Sequence, residues 1–306
     1  MPQTAFLFPG QGSQFAGMGK SLADAHPAAM AIFEQAGHAL GFPLSRLCWE
    51  GPEEDLKLTE NTQPAILTAS CAAHAVLAAH GIEAAYVAGH SLGEYSALVA
   101  AGALSFADAV RTVRNRGRYM QEAVPPGVGA MAALLKLPAG TLDDILAQAA
   151  QGEVVSAANL NSPDQVVIAG HTAAVHRAAD LAKAAGARRA VILPVSAPFH
   201  CALMEPAQKR LAQDLSAIEF HDLAIPLINN CAAREIRTGA EARAGLIEQV
   251  PNPVLWTATI KQLAAQGVTR FIEVGPGSVL TGLLRNIDSS LEGVKFGEAA
   301  DLAALV

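Results

Sequence analysis

A serine between two glycines stands where an apolar stretch of this chain gives way to a helical one. Ala84 to Ala88 predicts a buried strand, Glu94 to Ala103 predicts a helix, and Gly89-His90-Ser91-Leu92-Gly93 joins them. In this context, G-x-S-x-G indicates a sharp turn that holds the serine in a strained, exposed position. Side chains two residues before and after the serine would collide, which explains the two glycines. The chain must therefore fold so that a strand and a helix meet at Ser91.

Strands and helices alternate along much of the chain. Thr4 to Phe8 predicts a strand, 64–80 predicts a helix that ends at Gly81, and Phe271 to Val274 predicts a late strand before a helix that carries Arg285. Alternation of this kind is typical of α/β proteins, in which helices cover a largely parallel sheet. We therefore predict an α/β fold class.

The stretch after Pro125-Pro126-Gly127 has a different order, β-α-β-β-α-β, which is the ferredoxin-like motif. Thr141, with Asp144 three residues later, predicts a capping box at its first helix. Residues 159–164 are rich in turn formers and predict a loop between the two middle strands. We predict that a ferredoxin-like subdomain at 125–196 is inserted into a large α/β domain formed by 1–124 and 197–306.

The composition excludes several classes of protein. The chain has 51% hydrophobic residues, 16% charged residues and a formal charge of −7, so it should fold and should not present the basic face of a nucleic-acid binder. Its four cysteines form no C-x-x-C pair, which predicts neither a zinc site nor a disulfide framework. No uncharged apolar run reaches the roughly 18 residues that a membrane span needs, and the N-terminus does not resemble a signal peptide. We expect a cytoplasmic monomer that contacts no membrane.

A serine nucleophile needs a base, and histidine is the best candidate at neutral pH. Among the nine histidines, His200 follows a predicted strand end, where α/β folds place catalytic groups, whereas His90 is the serine's own neighbour. The N–H of Leu92, at the start of the helix after the turn, should donate to a developing oxyanion. These residues alone leave two readings open, a catalytic nucleophile and a serine that caps a strand–helix turn.

The stretch from Gly89 to Leu98, GHSLGEYSAL, resembles the nucleophile segment of malonyl-CoA:acyl carrier protein transacylases. The similarity continues in the same order over nearly the whole chain, to about Asn286, and no single motif carries it. The other similar segments are Phe8 to Gln14, Thr62 to Ala65, Arg116-Gly117 with Met120-Gln121, Asn161 to Pro163 with Gln165 to Gly170, Phe199-His200, Gln249 with Asn252 to Val254, and Glu273 to Gly277.

This resemblance implies an α/β-hydrolase-like large domain that carries the ferredoxin-like insertion, and it implies roles for residues. Ser91 would attack a thioester carbonyl, and His200 would take its proton. Gln11 would line the oxyanion site together with the Leu92 N–H. Family members orient the histidine with a main-chain carbonyl near the Gln249 position, so the resemblance implies a Ser–His dyad. It also implies that Gln63 lines the pocket.

Arg116 is the residue that the resemblance connects with the choice of substrate. A guanidinium can hold the free carboxylate of a malonyl group through two parallel charge-assisted hydrogen bonds. Without the resemblance, Arg116 is equally typical of a solvated helix face, because three other arginines lie close to it in sequence. Phe199 resembles the malonyl type of polyketide synthase acyltransferase domain, in which a bulky ring crowds a methyl branch; its alternative role is that of an ordinary core aromatic.

The resemblance also implies the partners, malonyl-CoA and an acyl carrier protein, with ping-pong kinetics and with neither a metal nor a redox cofactor. Carrier proteins of this kind are acidic, so an acidic chain needs a local basic patch for docking. Arg188 and Arg189, preceded by Lys183, are the candidates, and a solvated helix end is the alternative. Cys201 is interpreted as a packed thiol and not as a nucleophile, and Gly275-Pro276-Gly277 lacks the spacing of a phosphate loop.

Three other functions remain open at this point. A thioesterase or esterase could use the same serine turn, although Arg116, Gln11 and the absence of an obvious triad acid favour transfer over hydrolysis. An acyltransferase of polyketide synthesis would use the same chemistry with another carrier. A non-enzymatic scaffold for carrier proteins would not need Ser91, His200 and Arg116 together.

Overall fold

Two β-sheets organise the molecule in a computed structural model that describes residues 3–195 and 197–306. Ser196, at the predicted subdomain boundary, lies outside the described residues. The strands are β1 (Gln3–Phe8), β2 (Tyr86–Gly89), β3 (Gly129–Leu135), β4 (Val155–Ser162), β5 (Gln165–His171), β6 (Arg189–Ile192), β7 (Leu227–Ile228), β8 (Glu235–Ile236), β9 (Val268–Val274) and β10 (Glu292–Phe296).

Helices cover both sheets. They are α1 (Lys20–Ala25), α2 (Pro27–Leu40), α3 (Leu44–Glu50), α4 (Glu53–Leu56), α5 (Thr59–Ala79), α6 (Gly93–Ala100), α7 (Phe106–Glu122), α8 (Leu142–Ala150), α9 (Thr172–Ala184), α10 (Glu205–Ser216), α11 (Gly239–Gln249), α12 (Trp256–Ala265) and α13 (Val279–Ile287), with short 3₁₀ helices at Ala202–Met204 and Ala299–Ala304. Among the described residues, none of these helices is both long and apolar enough to cross a bilayer.

The larger sheet has the strand order β10-β9-β1-β2-β7-β8 and is parallel except for β8, which pairs antiparallel with β7. Its central strands β1 and β2 are apolar and almost completely buried, as expected when helices cover both faces of a parallel sheet. One face packs on α12 and α13 through a core that contains Trp256, Ile260 and Leu284. The other face packs on α2, α5, α6 and α7. The predicted α/β class with a largely parallel sheet is confirmed.

The smaller sheet has the order β4-β5-β3-β6, is antiparallel throughout and packs on α8 and α9. Its elements follow the order β-α-β-β-α-β along the chain. Apolar side chains alternate along its strands and meet Ile145 of α8 and Val175 of α9 in a separate core. Each sheet therefore has its own hydrophobic contacts, although residues of β3 and β5 also join the core of the larger sheet.

Two local predictions in this region are wrong. Residues 159–164 are not a loop, because β4 continues to Ser162; the Leu160 N–H donates to the carbonyl of Val254 (2.9 Å), and the register of β4 against β5 slips at two places. Such slips let polar side chains leave the regular alternation without ending the strand. The capping box at Thr141 is also absent, since its hydroxyl donates to the carbonyl of Pro138 (2.8 Å) and caps no helical amide.

The parallel strands β1 and β2 end side by side, with Phe8 paired to Gly89. The loop after β1 carries Gln11, and the turn after β2 carries Ser91. Because the carboxyl ends of neighbouring parallel strands share one edge of a sheet, both loops reach the same place. This edge is where the functional residues gather.

Candidate active site

The turn after β2 holds Ser91 at φ +50°, a left-handed backbone conformation that non-glycine residues seldom adopt. The two glycines of the motif permit this turn. A Cβ on Gly89 would lie 1.9 Å from the carbonyl carbon of Gly93, and a Cβ on Gly93 would lie 2.0 Å from the Phe8 carbonyl oxygen. No side chain fits at either position. The sequence pattern and the local geometry therefore have the same steric cause.

His200 faces the serine from the loop that follows the smaller sheet. Its Nε2 lies 2.8 Å from the Ser91 Oγ, and its Nδ1 lies 3.0 Å from the main-chain oxygen of Gln249. Because a carbonyl oxygen only accepts, Nδ1 carries the proton and Nε2 presents its lone pair to the serine hydroxyl. His200 has φ +59°, so both members of the pair lie in strained backbone.

Burial keeps His200 neutral. His200 is 3% exposed, and desolvation together with the nearby Arg116 cation lowers the pKa of its imidazole to about 3. The hydrogen bond from Nδ1 to the Gln249 carbonyl acts in the opposite direction but is weaker. A neutral imidazole can accept the serine proton at any pH near neutrality.

Arg116 is buried on α7, whose N-terminus is capped by the hydroxyl of Ser105. Its guanidinium donates to Gln63 Oε1 (2.8 Å), Gln249 Oε1 (2.9 Å) and Ser91 Oγ (3.1 Å), all of them neutral oxygens. Within the described part of the chain, Arg116 forms no ion pair, and its Nε has no hydrogen-bond partner. The amphipathic pattern of α7 is equally compatible with an exposed arginine, so only the packing of α7 against α5 decides that Arg116 is buried. A buried cation with unused donor capacity is suited to an anionic group of a ligand.

The remaining predicted residues fall into two groups. Gln11, Leu92, Gln63 and Phe199 all line one pocket with Ser91, His200 and Arg116. Leu92, Gln63 and Phe199 are buried, whereas Gln11 is exposed at the pocket's edge. Arg188 and Arg189 do not line this pocket; they are exposed and border a separate surface groove.

Sequence reasoning missed two polar residues beside the nucleophile. The side-chain amide of Asn230 accepts from the Ser91 N–H (2.6 Å) and donates to the Gly89 carbonyl (2.6 Å). The main-chain N–H of Asn230 donates to Glu94 Oε2 (2.9 Å). Asn230 is 139 residues from Ser91, and nothing in its local sequence indicates this contact. Glu94 lies within the GHSLGEYSAL segment, and an acid among the mostly apolar residues of α6 is a sequence signal for a buried polar contact.

His90 has a structural partner of its own. Its Nε2 donates to Asn161 Oδ1 (2.8 Å), whose amide donates in turn to Gln165 (3.2 Å). The ring thus contacts β4 and tilts against Trp256. This contact joins the nucleophile turn to the smaller sheet, and burial lowers the pKa of His90, so the ring stays neutral.

The Gly275-Pro276-Gly277 turn does not offer a phosphate site. Both oxygens of the buried Glu273 side chain accept main-chain N–H groups at the start of α13, from Leu280 (2.9 Å) and Thr281 (2.8 Å). The helix N-terminus is thus already occupied by a carboxylate. Among the described residues, no group of three or more His, Cys, Asp or Glu side chains is arranged to hold a metal ion.

Known proteins are similar to this chain in both sequence and fold. Residues 5–303 match the acyl transferase domain family. The chain is 50% identical to a malonyl CoA-acyl carrier protein transacylase of Escherichia coli O157:H7, with 99% of each covered, and 49% identical to one of Bacillus subtilis (strain 168), with 96% of this chain and 93% of that protein covered.

Solved structures agree. An acyl carrier protein S-malonyltransferase from Vibrio cholerae O1 biovar eltor str. N16961 superposes with a TM-score of 0.97 at 48% identity, covering 99% of this chain and 100% of that one. A malonyl-transacylase solved with a type II PKS acyl-carrier protein superposes with a TM-score of 0.96 at 46% identity, covering 99% and 98%. The chain therefore belongs to the family of malonyl CoA-acyl carrier protein transacylases and is an acyltransferase.

Proposed function

We propose that the chain moves the malonyl group from malonyl-CoA to the phosphopantetheine thiol of an acyl carrier protein, through a malonyl ester on Ser91, and so supplies fatty acid synthesis. One observation carries the proposal: the buried guanidinium of Arg116, with no carboxylate partner among the described residues, donates to the Ser91 Oγ that also faces His200. A cation beside the nucleophile favours acyl groups that end in an anion. The names of the curated relatives support the same substrate pair.

In the first half-reaction, the Ser91 Oγ attacks the thioester carbonyl while its proton passes to His200 Nε2. The tetrahedral oxyanion accepts hydrogen bonds from the Leu92 N–H and the Gln11 amide, which border the pocket. The carbon–sulfur bond then breaks, and His200 returns the proton to the leaving thiol of coenzyme A. The product is a malonyl ester of Ser91.

The second half-reaction runs through the same groups in reverse. The carrier's phosphopantetheine thiol gives its proton to His200, its sulfur attacks the ester carbonyl, and the Ser91 Oγ leaves with that proton. The carbonyl oxygen of Gln249 holds the imidazole in one tautomer throughout. A dyad with a main-chain acceptor needs no triad acid, which agrees with the neutral partners around His200.

Arg116 holds the malonyl carboxylate in both half-reactions. Gln63 accepts from one terminal nitrogen of the guanidinium and Gln249 accepts from the other, so the guanidinium is already oriented before substrate binds. An acetyl group would leave this buried cation without an anion, which makes acetyl-CoA a poor substrate. Phe199 narrows the pocket beside His200 and disfavours branched acyl groups.

We also propose the finer fold description, an α/β-hydrolase-like large domain at 1–124 and 197–306 with a ferredoxin-like subdomain at 125–196. The strand order β4-β5-β3-β6 and the antiparallel pairing support the second part, and a serine turn after a central parallel strand supports the first.

Brief mixing with malonyl-CoA is expected to add one malonyl group to the protein, seen as a persistent mass increase in intact-protein mass spectrometry. The ester should persist because no carrier thiol is present to accept the acyl group. Acetyl-CoA should add much less, since its acyl group offers Arg116 no carboxylate. The Ser91→Ala variant is the control and should gain no mass.

Two outcomes would contradict the proposal. Release of free malonate without a persistent adduct would identify a thioesterase. Adduct formation by malonyl-CoA in the Ser91→Ala protein would place the acyl group on another residue.

Carrier docking is proposed at Arg188 and Arg189. Both are exposed and neither forms an ion pair within the described residues; Lys136 borders the same groove, where it pairs with Asp164 at 3.9 Å. Leu193, which lines the active-site pocket, follows Arg189 by four residues, roughly 13 Å along an extended chain. The basic groove and the pocket are thus connected by one strand, and the groove can attract an acidic carrier despite the net charge of −7.

Charge reversal at both positions, Arg188→Glu with Arg189→Glu, should raise KM for the carrier protein by about tenfold, because both attractive contacts become repulsive. The rate of acyl-enzyme formation from malonyl-CoA should change little. Arg46→Glu with Lys261→Glu changes the net charge equally at exposed positions outside the groove and serves as the control. Carrier kinetics equal to those of the control would refute the docking proposal.

A polyketide carrier is the second candidate for the acceptor. It is favoured by the similarity to a malonyl-transacylase that was solved with a type II PKS acyl-carrier protein. The catalytic residues are the same for both acceptors, so transfer rates to the two classes of carrier decide between them.

A further inference from the structure

A carboxylate is completely buried beneath the nucleophile turn. Glu94 is 0% exposed and forms no ion pair within the described residues. Its Oε2 accepts from the Asn230 N–H (2.9 Å) and from the Gln249 side-chain amide (3.0 Å), whereas its Oε1 has no hydrogen-bond partner in this part of the chain. A buried acid with one unused oxygen is costly, so its retention beside the active site needs an explanation.

The Gln249 side chain stands between this carboxylate and Arg116. Its Nε2 donates to Glu94 Oε2, and its Oε1 accepts from an Arg116 NH₂ group at 2.9 Å. The same Nε2 lies 3.1 Å from the Ser91 carbonyl oxygen, which fixes the amide in this orientation. Two buried opposite charges are therefore one amide apart and do not touch.

We infer that Glu94 is the countercharge of Arg116 and that Gln249 is the spacer that keeps the two apart, leaving the arginine free for the substrate's carboxylate. A direct Glu–Arg ion pair would neutralise the charge that the malonyl carboxylate needs, whereas the uncharged Gln249 Oε1 accepts from Arg116 and leaves its charge unpaired. An arginine with no countercharge would carry the full cost of a buried ion. With Gln249 between them, Arg116 has a nearby countercharge but is not neutralised by a direct ion pair. Glu94 is thus a positioning residue, and the inference rests on the proposed role of Arg116.

The sign of the effect on binding follows from Coulomb's law. An ionised Glu94 repels the malonyl carboxylate that Arg116 attracts, so loss of the Glu94 charge should tighten malonyl binding. Burial raises the pKa of Glu94 to about 7, against the opposing effects of its hydrogen bonds and of Arg116. The other ionisable groups that interact with it are Tyr95 and Cys231, and burial raises the pKa of both, so neither ionises near neutrality. Binding should therefore tighten as the pH falls through 7.

Calorimetric titration of the Ser91→Ala protein, which cannot turn over, tests this without interference from acylation. At pH 8, adding Glu94→Gln should lower Kd for malonyl-CoA by about three- to tenfold, because a nearby repulsive charge is removed. Kd for acetyl-CoA should stay the same, and it controls for any change in the coenzyme A site. In the protein that keeps Glu94, the ratio of the acetyl-CoA Kd to the malonyl-CoA Kd should rise between pH 8 and pH 6, and this rise should vanish in the Glu94→Gln protein.

The complementary test moves the carboxylate from position 94 to position 249. Glu94→Gln combined with Gln249→Glu, again with Ser91→Ala, conserves the net charge but puts the acid directly on Arg116. Kd for malonyl-CoA should then rise by at least about tenfold, because the substrate must displace a buried ion pair. If Glu94 had a merely structural role, Kd for malonyl-CoA would rise or stay the same in both the Glu94→Gln protein and the Glu94→Gln/Gln249→Glu protein. It would not fall in the first and rise in the second.

The outcomes separate the inference from the function on which it rests. Equal Kd values for malonyl-CoA and acetyl-CoA in the Ser91→Ala protein would refute the proposed role of Arg116. A clear preference for malonyl-CoA, with no tightening by Glu94→Gln and no pH trend in the ratio, would overturn the countercharge role alone. The pH trend uses the natural Glu94, so the test stands even if the Glu94→Gln protein does not fold.

Discussion

Replacing His200 with alanine is expected to lower kcat/KM for malonyl transfer by about 10⁴-fold or more, as removal of the base does in other serine enzymes. The reason is geometric. His200 Nε2 lies 2.8 Å from the Ser91 Oγ, and no other imidazole contacts this hydroxyl within the described residues. The measurement is the rate of carrier malonylation, or of adduct formation, at saturating and subsaturating malonyl-CoA. Without the base, the serine hydroxyl must lose its proton to water.

The neighbouring Cys201 supplies the control for this prediction. It is buried, its thiol donates to the Pro198 carbonyl, and burial raises its pKa to about 11, so it is a poor nucleophile. Cys201→Ala should retain activity within about tenfold, as expected for a packing change. The double variant Ser91→Ala/His200→Ala should be no less active than either single variant, because the two residues act as a unit. An active His200→Ala protein would rule out the dyad.

Arg116→Gln is expected to lower kcat/KM for malonyl-CoA by about 10³-fold, the effect of removing one partner from a buried charge-assisted pair. Activity with acetyl-CoA should stay the same or rise, because no buried cation is then left without an anion. Preference for malonyl-CoA should therefore disappear. The measurement is kcat/KM for both thioesters with the same carrier. Arg116→Lys should recover only part of the loss, since an ammonium lacks the planar pair of donors.

Arg111→Gln on the same helix is the matched control. Arg111 is exposed and pairs with Asp108 at 2.8 Å, so its loss should change kcat/KM for either thioester by less than about twofold. If Arg116→Gln lowered the activity with both thioesters equally, Arg116 would be a structural support of the pocket and not the carboxylate site. If it changed neither, the family-based role of Arg116 would be wrong.

The local parts of the site could be predicted from the sequence. G-x-S-x-G between a strand and a helix reflects steric limits on a few neighbouring residues. A Cβ at either glycine would lie only 1.9 or 2.0 Å from main-chain atoms, which is the physical cause of the motif. The resemblance to malonyl-CoA:acyl carrier protein transacylases is confirmed by the full-length relatives of that name, and the acyl transferase family match over residues 5–303 agrees with it. The β-α-β-β-α-β order was also predictable, because each of its elements has its own hydrophobic period.

Errors arose where distant backbone competed with local preference. Residues 159–164 look like a turn because asparagine, serine, proline and aspartate favour turns, yet most of them form a strand that bonds to β5 and to Val254. Helix α5 begins at Thr59, five residues before Pro64, the first residue of the predicted helix, because packing against α2 and α7 outweighs the cost of an internal proline.

The amino-acid sequence by itself determined the strained serine turn, the alternation that builds the parallel sheet, and the family to which the chain belongs. Only the tertiary structure decided which of several arginines is buried, that Asn230 holds both ends of the nucleophile turn, and that Gln249 separates Glu94 from Arg116. The physical reason is range. Steric turns and hydrophobic periods act between near neighbours in the chain, whereas burial of a charge and its hydrogen bonds depend on residues 25 to 155 positions away.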